Sequence, residues 1–370
     1  MVWTPPALTA SMCQFGRIKP TKQPEEESEM NIKRVGIDLA KQVFQVHGVD
    51  CHDKAVLRKQ LRRNQFLGFF ATLSPCLIGM EACGGAHHWA RELQKQGHTV
   101  KLIAPQFVKP YVKSNKNDAN DAEAICEAVG RPSMRFVSIK TVAQQDLQAI
   151  HRIRSELIRQ RTAKVNQIRG LLAEYGLVVG RQVQALRRAL PDLLENADNG
   201  LSFDFRGLLD NLRADLVHFD ERVAEMDKKV HALAHSETAA KRLLSIPGVG
   251  PISATAILCA VGDGKQFKRG RDMAAWLGLT PKQHSSGGKD RLLGMSKRGD
   301  TYLRTLLIQG AQSALKVIDK KTDPRSQWLQ NLCGRRPKNV AAVALANKNA
   351  RIAWALLNNE THYLSEGKPA

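Results

Sequence analysis

The segment KRVGIDLAKQVFQVHGV, from Lys33 to Val49, indicates the fold of the N-terminal part of the chain. Its first half alternates apolar side chains with polar ones or glycine, the pattern of a half-buried β-strand, and the apolar members are Val35, Ile37 and Leu39. A second strand is predicted at 43–49, so that the two strands form a hairpin. Asp38 lies among apolar neighbours, where a charge is unfavourable unless it is paired or holds a metal ion.

The sequence that follows alternates between strand and helix patterns. We predict strands at 55–62, 77–80 and 99–103, and helices at 65–73, 87–96 and 120–129. A meander of strands, followed by helices alternating with strands, is typical of an α/β domain with a mixed sheet. We therefore predict such a domain for residues 31–140.

Long helices are predicted for residues 141–235, because apolar side chains recur there at helical spacing. A break rich in Pro, Asp, Asn and Gly, from Pro191 to Gly200, interrupts this pattern. The region therefore predicts a helical hairpin or coiled coil. The pattern leaves open whether these helices pack only on their own chain or form a dimer.

The remaining segments complete the predicted organisation. Residues 236–360 predict a third, mostly helical domain, and residues 361–370 a loose tail. Residues 1–30 form an extension that combines four prolines with the acidic run Glu25–Glu27, which is typical of disorder. It contains no apolar core of a secretory signal, and Met30, which opens the first structured segment, is a candidate for the natural start.

Charge indicates the class of partner. The 370 residues include 56 Lys and Arg against 35 Asp and Glu, a net charge of +21, which favours a polyanion. A membrane surface would attract the same charge, but no apolar run approaches the roughly 20 residues that span a bilayer. The seven cysteines are scattered without metal-binding spacing, as in a reducing cytoplasm. We therefore expect a cytoplasmic protein that binds nucleic acid and no membrane.

Four acids in the first domain form a candidate metal site. Asp38 lies within a strand, Glu81 ends a later strand, and Asp118 and Asp121 lie three residues apart at a helix start, so that both carboxylates leave one face. Carboxylates in this arrangement suit two divalent ions that clamp the oxygens of a phosphodiester, with Mg²⁺ or Mn²⁺ as the candidates. Three of the acids also have a plainer interpretation. Asp118 fits a helix N-cap, Asp121 a first-turn acid and Glu81 a solvated loop acid.

A second candidate site lies in the last domain. Ser285 and Ser286 precede Gly287 and Gly288 in a basic loop, and a serine among cations can attack a phosphate. Composition alone favours a glycine turn that only grips a nucleic-acid backbone. The cations that we expect to contact nucleic acid are Lys289, Arg291, Lys297, Arg298 and Arg304.

The segment RLLSIPGVGPISATAIL, from Arg242 to Leu258, predicts a helix-hairpin-helix unit. Gly248 and Gly250 would let the backbone approach a phosphate, and the second helix would offer its N-terminus. The plainer interpretation is an ordinary turn between two helices.

Together these motifs resemble the insertion-sequence-110 family of DEDD transposases, and its insertion-sequence-1111 branch in particular. The resemblance extends from Lys33 to about Leu315. It is carried by GIDLAK (36–41), GMEACG (79–84), KNDANDAEAI (116–125), IPGVGPISA (246–254) and LGLTPKQHSSGGK (277–289).

The resemblance implies more than the residues do alone. It implies an RNase H-like (RuvC-like) N-terminal domain whose acids are Asp38, Glu81, Asp118 and Asp121. It also implies that Ser286 is a nucleophile. This reverses the interpretation favoured by composition, in which the turn only binds a nucleic-acid backbone. Partners implied are donor and target double-stranded DNA, a noncoding guide RNA, and further copies of the chain in a dimer or tetramer. We expect the serine to act beside the carboxylates, across two domains or two protomers.

Two other functions remain open at this point. One is a RuvC-like junction nuclease in which metal-activated water is the nucleophile. The other is a nucleic-acid-binding scaffold without catalysis. A covalent protein–DNA adduct would separate the transposase from both alternatives, and metal-dependent nicking without an adduct would select the nuclease.

Overall fold

The computed structural model describes residues 32–113 and 117–363. The predicted extension at 1–30 and most of the tail predicted at 361–370 lie outside the described residues. The chain divides between Arg135 and Phe136 into two compact units. Each unit is described by itself.

The first unit contains a mixed β-sheet, as predicted. Its strands are β1 (Arg34–Leu39), β2 (Val43–Val49), β3 (Ala55–Arg62), β4 (Leu77–Glu81) and β5 (Thr99–Ile103). They lie in the order β3-β2-β1-β4-β5. The pairs β1–β2 and β2–β3 are antiparallel, whereas β1–β4 and β4–β5 are parallel. The central strand β1 thus joins the hairpin half of the sheet to the crossover half.

Helices cover both faces of this sheet. They are α1 (Phe66–Ala71), α2 (Ala86–Lys95), α3 (Pro105–Val108) and α4 (Asp118–Val129). On one face, Phe44 of β2 packs edge-on against Phe66 of α1 and Trp89 of α2, with ring centroids 4.8 and 5.3 Å away. These aromatic rings form the apolar layer on that side of the sheet.

Helix α4 packs on the opposite face and approaches β1 at Gly36. A Cβ atom at Gly36 would lie 2.2 Å from the carbonyl oxygen of Ala122 and 2.3 Å from the backbone nitrogen of Cys126. No side chain larger than hydrogen fits there without moving the helix. Gly36 therefore sets how closely α4 approaches the strand that carries Asp38.

The second unit begins with the short strand β6 (Phe136–Val137) and contains two long helices. These are α5 (Val142–Glu174) and α7 (Phe203–Ser236), with α6 (Val183–Glu195) between them. Ion pairs join α5 to α7 in reverse order along the chain: Arg154 with Asp227, Arg161 with Asp220, and Lys164 with Asp215. The two helices are therefore antiparallel, as a helical hairpin requires.

The rest of the second unit packs around an apolar core. Its elements are α8 (Thr238–Leu244), α9 (Pro251–Val261), α10 (Gly270–Trp276), the hairpin strands β7 (Pro281–Gln283) and β8 (Leu292–Met295), α11 (Thr301–Leu315), α12 (Pro324–Arg335) and α13 (Lys338–Asn358). Helix α9 is almost wholly buried in this core. No helix among the described residues is long and apolar enough to cross a membrane.

Three details of the helical prediction were wrong. Pro191 lies inside α6, so the break begins only at Asn196. Ile153 and Leu171 share the apolar helical spacing that predicts burial, yet both side chains are exposed. Helix α4 begins at Asp118, two residues before the predicted start.

Candidate active site

The site forms where the end of β1 meets the start of α4. Asp38 is the last residue but one of β1, and it shares the α4 face of the sheet with Gly36. Asn117 caps α4, and its side-chain oxygen accepts a hydrogen bond of 2.9 Å from the backbone nitrogen of Ala119. The interpretation of Asp118 as the N-cap is therefore wrong, because Asn117 already fills that position. The carboxylate of Asp118 is left available for another role.

Three of the four predicted acids converge. Asp38, Asp118 and Asp121 each offer a carboxylate oxygen, and these three oxygens all lie within 4.8 Å of one another. Asp38 and Asp121 are half-buried, whereas Asp118 is exposed. Glu81 lies at the end of the neighbouring strand β4, outside this group of three.

Burial, and then the charges of Asp118, Asp121 and Glu81, together raise the pKa of Asp38 from 3.8 to about 6. The backbone N–H of Leu39 donates to the carboxylate and opposes part of this effect. Glu81 therefore lies close enough to raise the pKa of Asp38, although it is not part of the converging group. Like charges held together in this way favour either a proton or a cation.

The donor set fits a hard divalent cation. All three converging ligands are carboxylates, and oxygen ligands are what Mg²⁺ and Mn²⁺ prefer. A bound cation would also relieve the repulsion that raises the pKa of Asp38. His and Cys ligands are not needed for such an ion.

Ser286 lies at the tip of the β7–β8 hairpin. Its carbonyl oxygen accepts a hydrogen bond of 3.1 Å from the backbone nitrogen of Lys289. Between them, Gly287 and Gly288 have φ values of +57° and +76°, which is the pattern of a type I′ turn. The side chain of Gln283 donates to the hydroxyl of Ser285 at 2.9 Å. All residues from Pro281 to Gly294 are exposed, so the serine is presented to solvent on a turn that requires its glycines.

Four of the five predicted cations lie on the surface. Lys289, Arg291, Lys297 and Arg298 are exposed. Arg304 is not, and its prediction as a nucleic-acid contact was wrong. Arg304 is 7% exposed, and its guanidinium donates to the carbonyl oxygens of Leu277 and Arg298, each at 3.1 Å. Arg304 is therefore held by backbone acceptors inside the unit.

The two glycines of the predicted helix-hairpin-helix unit, Gly248 and Gly250, differ in their surroundings. Gly248 has a φ of +90°, and a Cβ atom there would lie 2.7 Å from the carbonyl oxygen of Gly310 in α11. Its small size thus serves packing between α11 and the turn from α8 to α9. Gly250 precedes Pro251 at the start of α9, is exposed, and has open space beside it. Of the two, Gly250 is the more open to solvent.

The first comparisons concern family models. Residues 240–327 match a model described as "Transposase IS116/IS110/IS902 family". Residues 35–177, which include all four predicted acids, match the DEDD model of IS110 transposases.

Relatives extend this match to almost the whole chain. A "Probable family 20 transposase" of Pseudomonas aeruginosa is 55% identical over 90% of this chain and 99% of its own length. The "Transposase for insertion sequence element IS1111A" of Coxiella burnetii is 46% identical over 97% of this chain and 98% of its own. The chain is a transposase of the IS116/IS110/IS902 family.

The transposase has a further relative in Yersinia enterocolitica. The "Transposase for insertion sequence element IS1328" is 42% identical over 90% of this chain and 98% of its own length. The family inferred from the motifs is therefore confirmed, as is the assignment of the chain as a DNA transposase.

Gln45 belongs to none of the candidate sites that the sequence of the transposase predicts. It lies directly across from Asp38 in the antiparallel register of β1 and β2. The hairpin was predicted, but its pairing depends on the short turn from Ala40 to Gln42, which the strand pattern alone does not fix.

Proposed function

We propose that the transposase cuts and exchanges DNA strands at a divalent-metal site held by Asp38, Asp118 and Asp121, with Glu81 as the fourth acid. The observation that carries this proposal is the convergence of three carboxylate oxygens within 4.8 Å of one another. Such an arrangement is destabilising by itself, since each charge repels the others and Asp38 is half-buried. Mg²⁺ or Mn²⁺ is the ion that this donor set favours.

Bound divalent ions would stabilise charge on the oxygens that attack and leave the phosphodiester. The chain's own residues supply the geometry. Asp38 is fixed by the central strand, and Asp118 and Asp121 by the first turn of a helix that packs against Gly36. At pH values above about 6 Asp38 is ionised even without a cation and can act as a ligand.

We further propose that Ser286 is the nucleophile. Its Oγ would form a bond to the scissile phosphorus as the bond from phosphorus to a DNA oxygen breaks, and that oxygen would leave as a hydroxyl by taking up a proton in place of the one that Ser286 gives up. A hydroxyl of another strand would then attack the phosphoserine and release the serine. Exposed cations beside the turn, including Lys289 and Arg291, support this role because they lower the cost of charge on the phosphate.

The proposed partners are donor and target duplex DNA, a noncoding guide RNA, and further copies of the chain. The net charge of +21 supports polyanionic partners. Phe203 and Leu208 on α7 are 90% and 60% exposed, which supports assembly into a dimer or tetramer. Sequencing of RNA that co-purifies with the transposase tests the guide, and RNA of random origin would contradict it.

A covalent adduct tests the nucleophile. The full chain is incubated with Mg²⁺ and labelled DNA that carries the ends of its own element, and then denatured. We expect label to remain on the protein, to depend on Mg²⁺, and to be absent in Ser286→Ala. Ser285→Ala is the matched control, because its hydroxyl is held by Gln283.

One observation supports a second candidate function. Ser286, Gly287 and Gly288 are explained as a hairpin turn without any chemistry, because the turn type demands positive φ at both glycines. This favours a nuclease in which water attacks the phosphate at the carboxylate site. Cleavage that depends on Mg²⁺ and persists in Ser286→Ala would select it.

A further inference from the structure

A polar row runs across the sheet beside Asp38. In the register of the antiparallel strands, Asp38 of β1 lies opposite Gln45 of β2, and Gln45 lies opposite Gln60 of β3. Side chains that are directly opposite in antiparallel strands point to the same face. All three residues therefore lie on the face of the sheet that also carries α4.

Two arginines flank this row on the edge strand. Arg58 and Arg62 lie two residues to either side of Gln60, so the alternation of β3 places them on the same face. Both are exposed. The opposite face of β3 is different, because Leu57 and Leu61 are buried there and the ammonium of Lys59 lies over the ring of Phe69.

A groove of about 210 Å³ follows the row between the sheet and α4. Gln45, His47, Arg58, Lys59 and Gln60 line it from the sheet, and Asn120 and Glu123 from the helix. Asn120 is the neighbour of Asp121 in α4, so the groove begins beside the carboxylates. The polar row from Asp38 through Gln45 to Gln60 crosses two strand spacings, roughly 10 Å. That is about three stacked nucleotides at the ~3.4 Å repeat of one DNA strand.

The charges of the groove suit a phosphate backbone. Glu123 is its one acid among the lining residues, and its carboxylate lies 3.7 Å from Arg58 and 3.4 Å from Lys113. The Arg58 side chain is 71% exposed, so this ion pair is weak and the guanidinium can turn to a stronger acceptor. Arg58 and Lys113 thus face the single carboxylate of Glu123.

We propose that this groove holds the DNA strand next to the scissile phosphate, with Gln45 and Gln60 bonded to its sugar–phosphate backbone and Arg58 and Arg62 paired with its phosphates. The proposal rests on the proposed cleavage at the carboxylate site. It adds positioning residues that fix the direction in which the strand leaves that site. Neutral amides suit the part of the groove nearest to Asp38, because a cation there would compete with the metal ion for the carboxylates.

Photo-crosslinking locates the strand. The photoreactive p-benzoylphenylalanine replaces Gln60 in one full-length variant and the exposed Gln94, on α2 at the opposite face, in the other. The probes are a labelled single-stranded oligodeoxynucleotide and the oligoribonucleotide of the same sequence. We expect position 60 to capture DNA at least about tenfold more than position 94, since the photoreactive group reacts only with groups in contact with it. Equal capture at both positions, or capture of RNA alone at position 60, would overturn the proposal.

Charge removal gives a second, independent readout. Arg58→Gln/Arg62→Gln removes two charges from the α4 face of β3, and Arg63→Gln/Lys95→Gln removes two from the opposite face, where Arg63 lies over the ring of Trp89 and Lys95 ends α2. We expect the first pair to raise the KM for Mg²⁺-dependent DNA cleavage about tenfold with little change in kcat, and the second pair to change neither. Equal effects of the two pairs would contradict the groove.

Mn²⁺ binding separates this inference from the function on which it rests. Both double variants should bind Mn²⁺ as the wild type does, because neither removes a carboxylate. If the wild type neither binds Mn²⁺ nor cleaves DNA but position 60 still captures DNA, the proposed function fails and the strand path stands. If the wild type binds Mn²⁺ and cleaves but position 60 captures nothing, the strand path alone is overturned.

Discussion

The carboxylate site and the serine hairpin hold their reactive residues in different ways. Asp38 lies on the central strand of a sheet that is covered on both faces, and Gly36 brings α4 against it at backbone contact. Ser286 lies on a turn whose residues are all exposed. The acids must be fixed to within a fraction of an ångström of one another to share a cation, and a packed core supplies that constraint. A serine that meets a polymer needs exposure instead.

The difference also appears in electrostatics. Around Asp38 the fold assembles charges that repel one another, whereas the buried His151 has a hydrogen-bond partner at each ring nitrogen. His151, in the second unit, is 3% exposed and lies 3.0 Å from both the hydroxyl of Tyr302 and that of Thr255. The hydroxyl of Thr255 donates to the carbonyl of Pro251, so the Nε2 of His151 is the donor to Thr255. Like charges therefore repel one another around Asp38, whereas the polar groups around His151 are paired by hydrogen bonds.

The largest effect is expected at the acids of α4. Asp118→Asn or Asp121→Asn removes a ligand charge without changing size, so Mg²⁺-dependent DNA cleavage should fall by at least about a thousandfold. Glu127→Gln, an acid of the same helix paired with Arg131, is the control and should cleave normally. Cleavage at the wild-type rate in both aspartate variants would remove the contrast between the two regions.

Substitution of Ser286 should remove the covalent chemistry of the serine hairpin but not its binding of nucleic acid. Ser286→Ala should abolish the covalent adduct while the affinity for DNA and RNA stays within about twofold, since the exposed cations of the loop remain. Adduct is measured on denaturing gels and affinity by fluorescence anisotropy. If Ser286→Ala lowers affinity as much as removal of Arg291 does, the turn is a binding element rather than a nucleophile.

His151 should make the second unit sensitive to acid. Burial, and then the charge of Arg154, lowers its pKa from 6.5 to about 4, so the unfolded chain takes up a proton that the folded chain refuses. Stability is thus fully present above pH 6.5 and is lost as the pH falls towards 4, by up to about 3 kcal/mol. Urea unfolding across this range measures it. His151→Gln should flatten the dependence, and the exposed His218→Gln should not.

The effect of pH on stability through Asp38 should be opposite to that through His151. Its pKa is raised from 3.8 to about 6, so its contribution to stability is present below pH 3.8 and is lost as the pH rises through 6. Without metal, Asp38→Asn should therefore stabilise the chain at pH 7 by about 1 kcal/mol, a value reduced for the screening of a half-exposed group. Thermal unfolding at pH 7 and pH 4 checks it. A variant less stable than the wild type at pH 7 would show that the carboxylates do not repel.

Much of the first unit could be predicted because apolar and polar side chains alternate along its strands. The predicted strands 43–49, 55–62 and 99–103 have the same limits in the structure. Helix α3 was not predicted, because its four residues are too few for a periodic pattern. The order of the acids predicted a cluster, but the separation of Glu81 from the other three depends on strand ends and side-chain directions that sequence spacing does not fix.

The second unit was harder to predict for a physical reason. Arg304 belongs to a run of cations that predicts a solvated face, and only the fold shows that backbone carbonyls surround it. Likewise Pro191 is a helix breaker in sequence terms, yet α6 continues through it to Glu195. Tertiary contacts outweigh local preference at both positions.

The most direct test of the central claim is Mn²⁺ binding by the full-length protein, measured by calorimetry or electron paramagnetic resonance. The wild type and Glu127→Gln should show the same saturable site. Asp38→Asn, Asp118→Asn and Asp121→Asn should each weaken it at least about tenfold, since even the partners that orient a ligand are worth that much. If all five proteins bind Mn²⁺ equally, the three carboxylates do not hold the metal ion and the account of the site is wrong.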